Sequence, residues 1–177
     1  MRLVFIRHTS VGVERGICYG QTDVPLAETF VTEADAVKKR LDTYTFDRVY
    51  SSPLSRCTKL SAHCGYPAPE IDSRLMEMNF GEWEMKRFDE ISDPRLQEWY
   101  DDYVNVRVTG GESAMDQRAR LESFLTDLKN GGIADDTVAI FCHGGIMIHA
   151  MVMLGGLSYQ DAFAALPGYG AIIELRI

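Results

Sequence analysis

The 177-residue sequence has few of the features that mark secreted, membrane or nucleic-acid-binding proteins. Its four cysteines form no C-x-x-C pair, so we expect free thiols in a cytoplasmic protein. The apolar runs are too short for a membrane span or a signal peptide. Basic residues number 18 against 26 acidic ones, a net charge of −8, so we predict neither nucleic-acid nor membrane binding.

Several catalytic motifs are also missing. The sequence has no G-x-x-x-x-G-K-[ST] or G-x-G-x-x-G loop for nucleotides and no G-x-S-x-G elbow for a serine nucleophile. Zinc motifs of the H-x-H or H-E-x-x-H type do not occur, so a zinc site has little support. A cysteine phosphatase loop, C-x-x-x-x-x-R, would begin at Cys142, but Ile148 stands where the arginine is needed.

Short apolar runs alternate with segments of helical spacing along the chain, and apolar residues make up 46% of it. This alternation predicts an α/β fold, with a mostly parallel sheet and helices on both faces, in one domain over 1–177. The spacing predicts strands at about 2–6, 46–50, 70–72, 137–142 and 171–176. It predicts helices at about 29–43, 53–64, 88–103, 113–131, 144–154 and from 158. Ser52 before Pro53 is the predicted N-cap of the second of these helices.

Groups suited to phosphate follow three of the predicted strands. Arg7 and His8 end the first strand, and Arg56 lies in the first turn of a helix that leaves another. His143 ends a third strand and is followed by two glycines, which allow close approach to a ligand at a helix N-terminus. Ligands of α/β sheets bind at the carboxyl ends of strands, so we expect His8 and His143 to face one phosphate.

Histidine remains as the candidate nucleophile after these exclusions. A neutral imidazole can attack phosphorus and form a phosphohistidine, which divides one difficult displacement into two steps. The leaving oxygen then needs a proton from a nearby acid. Glu77 is the candidate, although the alternative that it is one of several surface glutamates stays open at this point.

Four segments resemble, in the same order, the motifs of the histidine phosphatase superfamily, also called phosphoglycerate mutase-like. The first strand ends in Arg-His, and Ser51–Arg56 matches Ser-Ser-Pro-Leu-x-Arg. Glu77–Glu84 matches Glu-x-x-Phe-Gly-x-Trp-Glu, and Cys142–Gly145 matches the strand that ends in His-Gly-Gly. The resemblance implies a phosphoglycerate mutase-like, three-layer α/β/α sandwich and a phosphomonoesterase that uses no metal and no other cofactor.

The resemblance also implies roles for single residues. His8 is the implied nucleophile, and Glu77 is the implied proton donor and later the base that activates water. His143 is expected to assist catalysis within the phosphate clamp. The rest of that phosphate clamp is expected from Arg7, Arg56 and the backbone N–H of Gly144.

One residue departs from the family pattern and narrows the resemblance. Thr9 replaces the glycine that usually follows the histidine, and it adds a hydroxyl near the expected phosphate. Arg-His-Thr and the segment Gly16–Leu26 resemble the alpha-ribazole phosphatases of cobalamin biosynthesis, a branch whose substrate is a benzimidazole nucleotide 5′-phosphate. Thr9 and Gln21 are therefore expected to contact a small-molecule phosphate monoester.

Several alternatives stay open. A broad-specificity sugar-phosphate phosphatase and a phosphoglycerate mutase share the motifs, and a non-catalytic module that binds phosphorylated ligands is a further reading.

A segment at about 83–110 is expected to form a lid, whose aromatic residues either stack on substrate or fill the core of the lid. We expect His63 and His149 to lie on helices without a chemical role, and the oligomeric state, homodimer included, stays open.

Overall fold

A single sheet organises the computed structural model, which describes residues 1–131, 133 and 135–177. Its strand order is β3-β2-β4-β1-β5, where the strands are β1 (Arg2–Arg7), β2 (Arg48–Ser51), β3 (Glu70–Ile71), β4 (Thr137–Cys142) and β5 (Ile172–Arg176). Strands β3, β2, β4 and β1 are parallel, and β5 pairs antiparallel with β1. The mostly parallel sheet predicted from the sequence is thereby confirmed.

Helices cover both faces of this sheet. They are α1 (Phe30–Leu41), α2 (Ser55–His63), α3 (Arg95–Asp101), α4 (Ala114–Gly131), α5 (Gly144–Met153) and α6 (Tyr159–Ala164), and 3-10 turns lie at Ser73–Leu75, Gly81–Trp83 and Phe88–Glu90. Among the described residues, no helix is both long and apolar enough to cross a membrane. Residue 132, which the sequence places at the end of the fourth helix, lies outside the described residues.

The two cores follow from the alternation of side chains along each strand. Leu3 and Phe5 of β1 pack with α4 and α5 on one face. Val4 and Ile6 of the same strand pack with α1 and α2 on the other face. All six residues of β4 are buried, as expected for a central parallel strand covered on both sides. The result is the three-layer α/β/α sandwich.

The helix predicted over 88–103 is wrong in its extent. The structure has a 3-10 turn at Phe88–Glu90 and a helix that begins only at Arg95. Pro94 precedes that helix and cannot continue a hydrogen-bonded one from before it. Asp93 accepts a hydrogen bond from the Arg95 N–H at 2.9 Å, which starts the helix anew.

A third, smaller apolar cluster lies in and around the segment 83–110. Trp83 is 1% exposed and packs with Cys18, Met78 and Val108. Its indole N–H donates to Asp93 at 2.8 Å. Trp83 therefore fills the core of this segment, as one of the two sequence readings expects.

Candidate active site

The register of β1 and β4 places the two candidate histidines side by side. Arg7 is the strand partner of Cys142, so the residues after them, His8 and His143, leave the sheet together. The His8 backbone N–H still donates to the Cys142 carbonyl at 3.1 Å. The ring centroids of the two histidines are 5.2 Å apart, and both side chains are buried.

His8 is held as one tautomer. Its Nδ1 lies 2.7 Å from the carbonyl oxygen of Thr9, and a carbonyl can only accept, so Nδ1 carries the proton. The lone pair is therefore on Nε2, for which no hydrogen-bond partner is found within the described ranges. Burial, and next the charge of Arg56, lower the pKa of His8 to about 3, so the imidazole is neutral at physiological pH.

His143 is fixed by Ser52, a residue that the sequence predicts to be a helix N-cap. Its Nε2 lies 2.8 Å from the Ser52 hydroxyl and 3.5 Å from the Cys57 thiol. Burial, and next the neighbouring His8, lower the pKa of His143 well below its usual value. The predicted serine cap before Pro53 is wrong, because α2 begins two residues later with Leu54 as its N-cap.

Arg56 is completely buried beside this pair. Its guanidinium donates to the carbonyls of Thr22 at 3.0 Å and Gly20 at 2.5 Å. Its Nε is buried without a partner in the described part of the chain. Because a buried cation is costly unless it is paired, this side chain is suited to an anion at the strand ends.

Arg7 is the last residue of β1 and directly precedes His8. Its guanidinium donates to the Pro167 carbonyl and lies 4.5 Å from the centre of the Tyr169 ring. Its Nε is likewise buried and lacks a partner among the described residues. A Cβ at Gly144 would lie 3.2 Å from the Arg7 guanidinium carbon, so glycine lets α5 begin against this cation.

Glu84 organises the loop that binds Arg56. Its carboxylate accepts from the backbone N–H groups of Gln21 and Thr22 at 2.8 and 2.7 Å and from that of Phe80 at 3.1 Å. These bonds lower the pKa of Glu84 despite its partial burial. The motif Glu77–Glu84 contained this residue, but nothing in the sequence alone distinguishes a loop anchor from a surface glutamate.

Glu77 is held over the same site by three donors. One carboxylate oxygen accepts from the Gln117 amide at 2.9 Å and from the Met78 backbone N–H at 3.0 Å. The other accepts from the Gly145 N–H at 3.1 Å. The surface-glutamate alternative is therefore wrong. Gln117, buried on α4, was missed because its position on the inner face of a helix resembles ordinary core.

A pair of tyrosines closes the other side of the two histidines. The hydroxyls of Tyr19 and Tyr169 lie 2.7 Å apart, although the residues come from opposite ends of the chain. The Tyr169 ring centroid is 5.5 Å from that of His8, and the Tyr19 ring centre lies 5.5 Å from the Arg56 guanidinium carbon. No sequence motif indicated this pair.

Thr9 and Gln21 are less directly placed. Thr9 is fully buried, and its hydroxyl has no partner in the described ranges. The Gln21 amide donates to the Glu77 carbonyl at 3.1 Å, so this side chain supports the backbone of the candidate acid. Neither residue lines the cavity described next, and their contact with substrate stays a prediction.

A cavity of about 380 Å³ opens beside His8. Its polar end carries Arg7, His8 and Glu77, and most of its remaining wall is apolar or aromatic. The apolar wall comes from the loop before Gly20, from Phe80 and the segment 83–110, and from α5, α6 and the turn after α6: Ile17, Cys18, Tyr19, Phe80, Phe88, Trp99, Tyr103, Ile148, Phe163 and Leu166. Such a volume suits a small organic molecule.

The fold and this site define an α/β protein in which a neutral histidine lies beside the guanidinium groups of Arg7 and Arg56. A model of the histidine phosphatase superfamily (branch 1) matches residues 3–177, and the chain belongs to this family. It is accordingly a phosphatase of the phosphoglycerate mutase-like fold. No group of three or more His, Cys, Asp or Glu side chains that could hold a metal ion is found in the described part of the chain.

Several known proteins are similar to this chain. One from Hydrogenobacter thermophilus, whose name provisionally assigns it as phosphoserine phosphatase 2, is 31% identical over 99% of this chain and 89% of its own length. The adenosylcobalamin/alpha-ribazole phosphatase of Salmonella typhimurium is 31% identical over 72% of this chain and 67% of its own length. The native structure of a mycobacterial glucosyl-3-phosphoglycerate phosphatase superposes with a TM-score of 0.83 at 26% identity, covering 98% of this chain and 88% of that chain.

Proposed function

We propose that this protein is a metal-independent phosphomonoesterase that acts through a phosphohistidine at His8, with alpha-ribazole 5′-phosphate as its substrate. The observation that carries the mechanism is the 2.7 Å bond from His8 Nδ1 to the Thr9 carbonyl. This bond leaves the lone pair on Nε2 of a neutral ring that lines the cavity. A neutral imidazole next to the buried Arg56 and the half-buried Arg7 is suited to attack an anionic phosphate ester.

In the first step, His8 Nε2 attacks the phosphorus atom. An N–P bond forms, the bond from phosphorus to the ester oxygen breaks, and Glu77 gives its proton to that oxygen as the alcohol leaves. Arg7 and Arg56, with His143 and the Gly144 N–H at the start of α5, hold the phosphoryl oxygens. The two guanidinium groups balance the negative charge of the phosphoryl oxygens, which would be costly to leave unpaired in this low-dielectric site.

In the second step, water attacks the phosphohistidine. The Glu77 carboxylate takes a proton from that water, the N–P bond breaks, and its electron pair returns to Nε2. Inorganic phosphate leaves, and the enzyme regains its starting protonation state. Gln117 and the N–H groups that hold Glu77 keep its carboxyl group in one place through both steps.

The cavity supports the choice of an uncharged, largely apolar leaving group. Arg7 is the only Lys or Arg among the described residues that line the cavity. A phosphoserine or phosphoglycerate would bring a carboxylate away from the phosphate, and that carboxylate would lose water without gaining a cation. A benzimidazole nucleoside brings a flat ring that can pack on Phe88 and Trp99, with the segment 83–110 acting as the lid.

The test is a comparison of kcat/KM for alpha-ribazole 5′-phosphate, phosphoserine, 3-phosphoglycerate and 4-nitrophenyl phosphate, with a chelator present. We expect the ribazole ester to be preferred by at least about a hundredfold over the two carboxylates. His8→Ala should remove turnover of every substrate and the acid-labile phosphoenzyme. His63→Ala, at a partly exposed histidine outside the cavity, is the matched control.

Each other result has a definite meaning. A preference for phosphoserine would overturn the substrate assignment and leave the mechanism standing. A preference for 3-phosphoglycerate with transfer of phosphate to a second hydroxyl would indicate the mutase alternative. A His8→Ala variant that keeps its rate would refute the nucleophile.

A further inference from the structure

A second histidine, His149 on α5, lines the cavity and takes no part in the proposed mechanism. It is 1% exposed, and its Nδ1 lies 3.0 Å from the Tyr159 hydroxyl. No partner of its Nε2 is found among the described residues. Burial lowers its pKa to about 4, so this imidazole is neutral at physiological pH. A neutral, buried ring with one bonded nitrogen is fixed in orientation but retains one nitrogen for a ligand.

The surroundings of Tyr159 select the tautomer. The Tyr159 hydroxyl has one hydrogen to donate, and it has two acceptors within reach: His149 Nδ1 at 3.0 Å and the Met115 sulfur at 3.9 Å. A thioether sulfur is the weaker and more distant acceptor, so the hydroxyl directs its hydrogen to His149 Nδ1. Nδ1 is then the acceptor, and Nε2 carries the proton. His149 therefore presents a donor to the cavity.

The position of this donor fits the far side of a leaving group. His149 lies five residues after Gly144, which corresponds to about 7.5 Å along the axis of α5. Phosphate is expected at the first residue of this helix, so the donor is separated from it by about the length of a ribose. Ile148, Phe163 and Leu166 line the same part of the cavity and supply apolar contact around it.

We propose that His149, oriented by Tyr159, determines specificity by donating a hydrogen bond from Nε2 to an acceptor atom on the aromatic ring of the leaving group. The inference rests on the proposed function and extends it, because it names the atom that is recognised. A benzimidazole nucleoside offers such an acceptor in its unsubstituted ring nitrogen. A site with a buried donor discriminates against the analogue that lacks the acceptor, because the donor is then left unpaired.

The experiment compares two substrates that differ at this single atom. Benzimidazole riboside 5′-phosphate and indole riboside 5′-phosphate have the same shape, but the indole carries C–H in place of the nitrogen. We expect kcat/KM of the wild-type enzyme to be roughly tenfold higher for the benzimidazole ester. His149→Phe should bring that ratio close to one, and His149→Gln, which retains an N–H donor, should restore part of it.

The ratio is the readout because both esters are cleaved by the same preparation, so loss of folded enzyme cancels. His63→Gln, at a histidine outside the cavity, should leave the ratio unchanged. Should His149→Phe fail to fold, Tyr159→Phe removes only the hydroxyl that orients the ring, and it too should lower the ratio. A ratio that persists in these variants would overturn the proposal.

The two proposals fail in different ways. A wild-type enzyme that cleaves both ribosides equally, and far better than 4-nitrophenyl phosphate, would overturn the role of His149 and keep the proposed function. A wild-type enzyme that cleaves neither riboside better than 4-nitrophenyl phosphate would overturn the substrate assignment, and the recognition of a ring nitrogen with it.

Discussion

Each of the three buried imidazole rings is oriented by a hydrogen bond at one of its two nitrogens. The Thr9 carbonyl fixes His8, the Ser52 hydroxyl faces His143, and Tyr159 orients His149. Burial lowers the pKa of all three rings, so the neutral form is present without a catalytic base to deprotonate it. In the proposed mechanism the arginines, not the histidines, carry the positive charge that attracts phosphate.

Glu77→Gln is the sharpest test at the residue scale. Glutamine retains the hydrogen bond to the Gly145 N–H but cannot supply a proton. We expect the rate on an alkyl phosphate, whose alcohol is a poor leaving group, to fall by about 10² to 10⁴. The rate on 4-nitrophenyl phosphate should fall far less in the phosphorylation step, which single-turnover kinetics isolate. Equal losses on both esters would count against Glu77 as the acid.

The strand ends carried most of what the sequence could predict at this scale. Arg7, His8 and His143 follow apolar strands, and that pattern alone placed them together. Gln117 and Glu84 could not be assigned in this way, because each becomes meaningful only through a partner distant in the sequence. Ser52 shows the opposite error, since a pattern typical of a helix cap is used here to bind a histidine.

At the scale of elements, the start of α5 brings together the end of β4, the candidate acid Glu77 and the proposed phosphate site. The Gly145 N–H donates to Glu77, and a Cβ at this position would lie 2.3 Å from one Glu77 oxygen and 2.6 Å from the Gln117 amide oxygen. Such distances are incompatible with any side chain unless the carboxyl moves. The second glycine after His143 is therefore required by Glu77.

Gly145→Ala should accordingly lower activity without unfolding the protein. Alanine is favoured over glycine within a helix, so the backbone accepts it, but the Glu77 carboxyl must shift. We expect kcat on alkyl phosphates to fall by about a hundredfold. Gly131→Ala is the matched control, because a Cβ there meets nothing within 4 Å, and it should retain full activity. Full activity in Gly145→Ala would contradict the position given to Glu77.

The segment 83–110 shows where element prediction from sequence ends. The sheet and the long helices follow from regular apolar spacing. The structure of this segment depends instead on Pro94 and on contacts such as that of Trp83 with Asp93. The expectation that the aromatics fill the core of this segment is met at Trp83, whereas stacking on substrate stays a prediction. Trp83 fills the interior of the segment, while Phe88 and Trp99 line the cavity. No periodicity could divide them in this way.

At the scale of the whole molecule, the buried histidines couple folding to pH. In the unfolded chain they take up protons near pH 6.5, but in the folded protein His149 does so only near pH 4 and His8 near pH 3. Between these values the unfolded state binds more protons. The free energy of unfolding must therefore fall as the pH falls below 6.5, by about 1.4 kcal/mol per pH unit for each such histidine at the steepest.

Urea unfolding at pH 7.0 and 5.5 in a phosphate-free buffer measures this dependence. The wild-type protein should be less stable at pH 5.5, and His149→Gln should show a smaller difference between the two pH values. His63→Gln makes the same replacement at a partly exposed histidine outside the cavity and is the matched control for the substitution itself. Equal stability at both pH values would show that these rings are not held neutral.

The order of the sheet has a consequence for how the protein is made. Strand β1, which leads into His8, pairs in the described part of the chain only with β4 and β5, and both come after residue 136. A nascent chain on the ribosome therefore carries Leu3–Ile6 as an apolar strand without a partner until nearly the whole domain has been translated. His8 is synthesised well before the strands that position it, so products truncated before β4 lack the proposed active site, and the exposed first strand is where a chaperone would bind them.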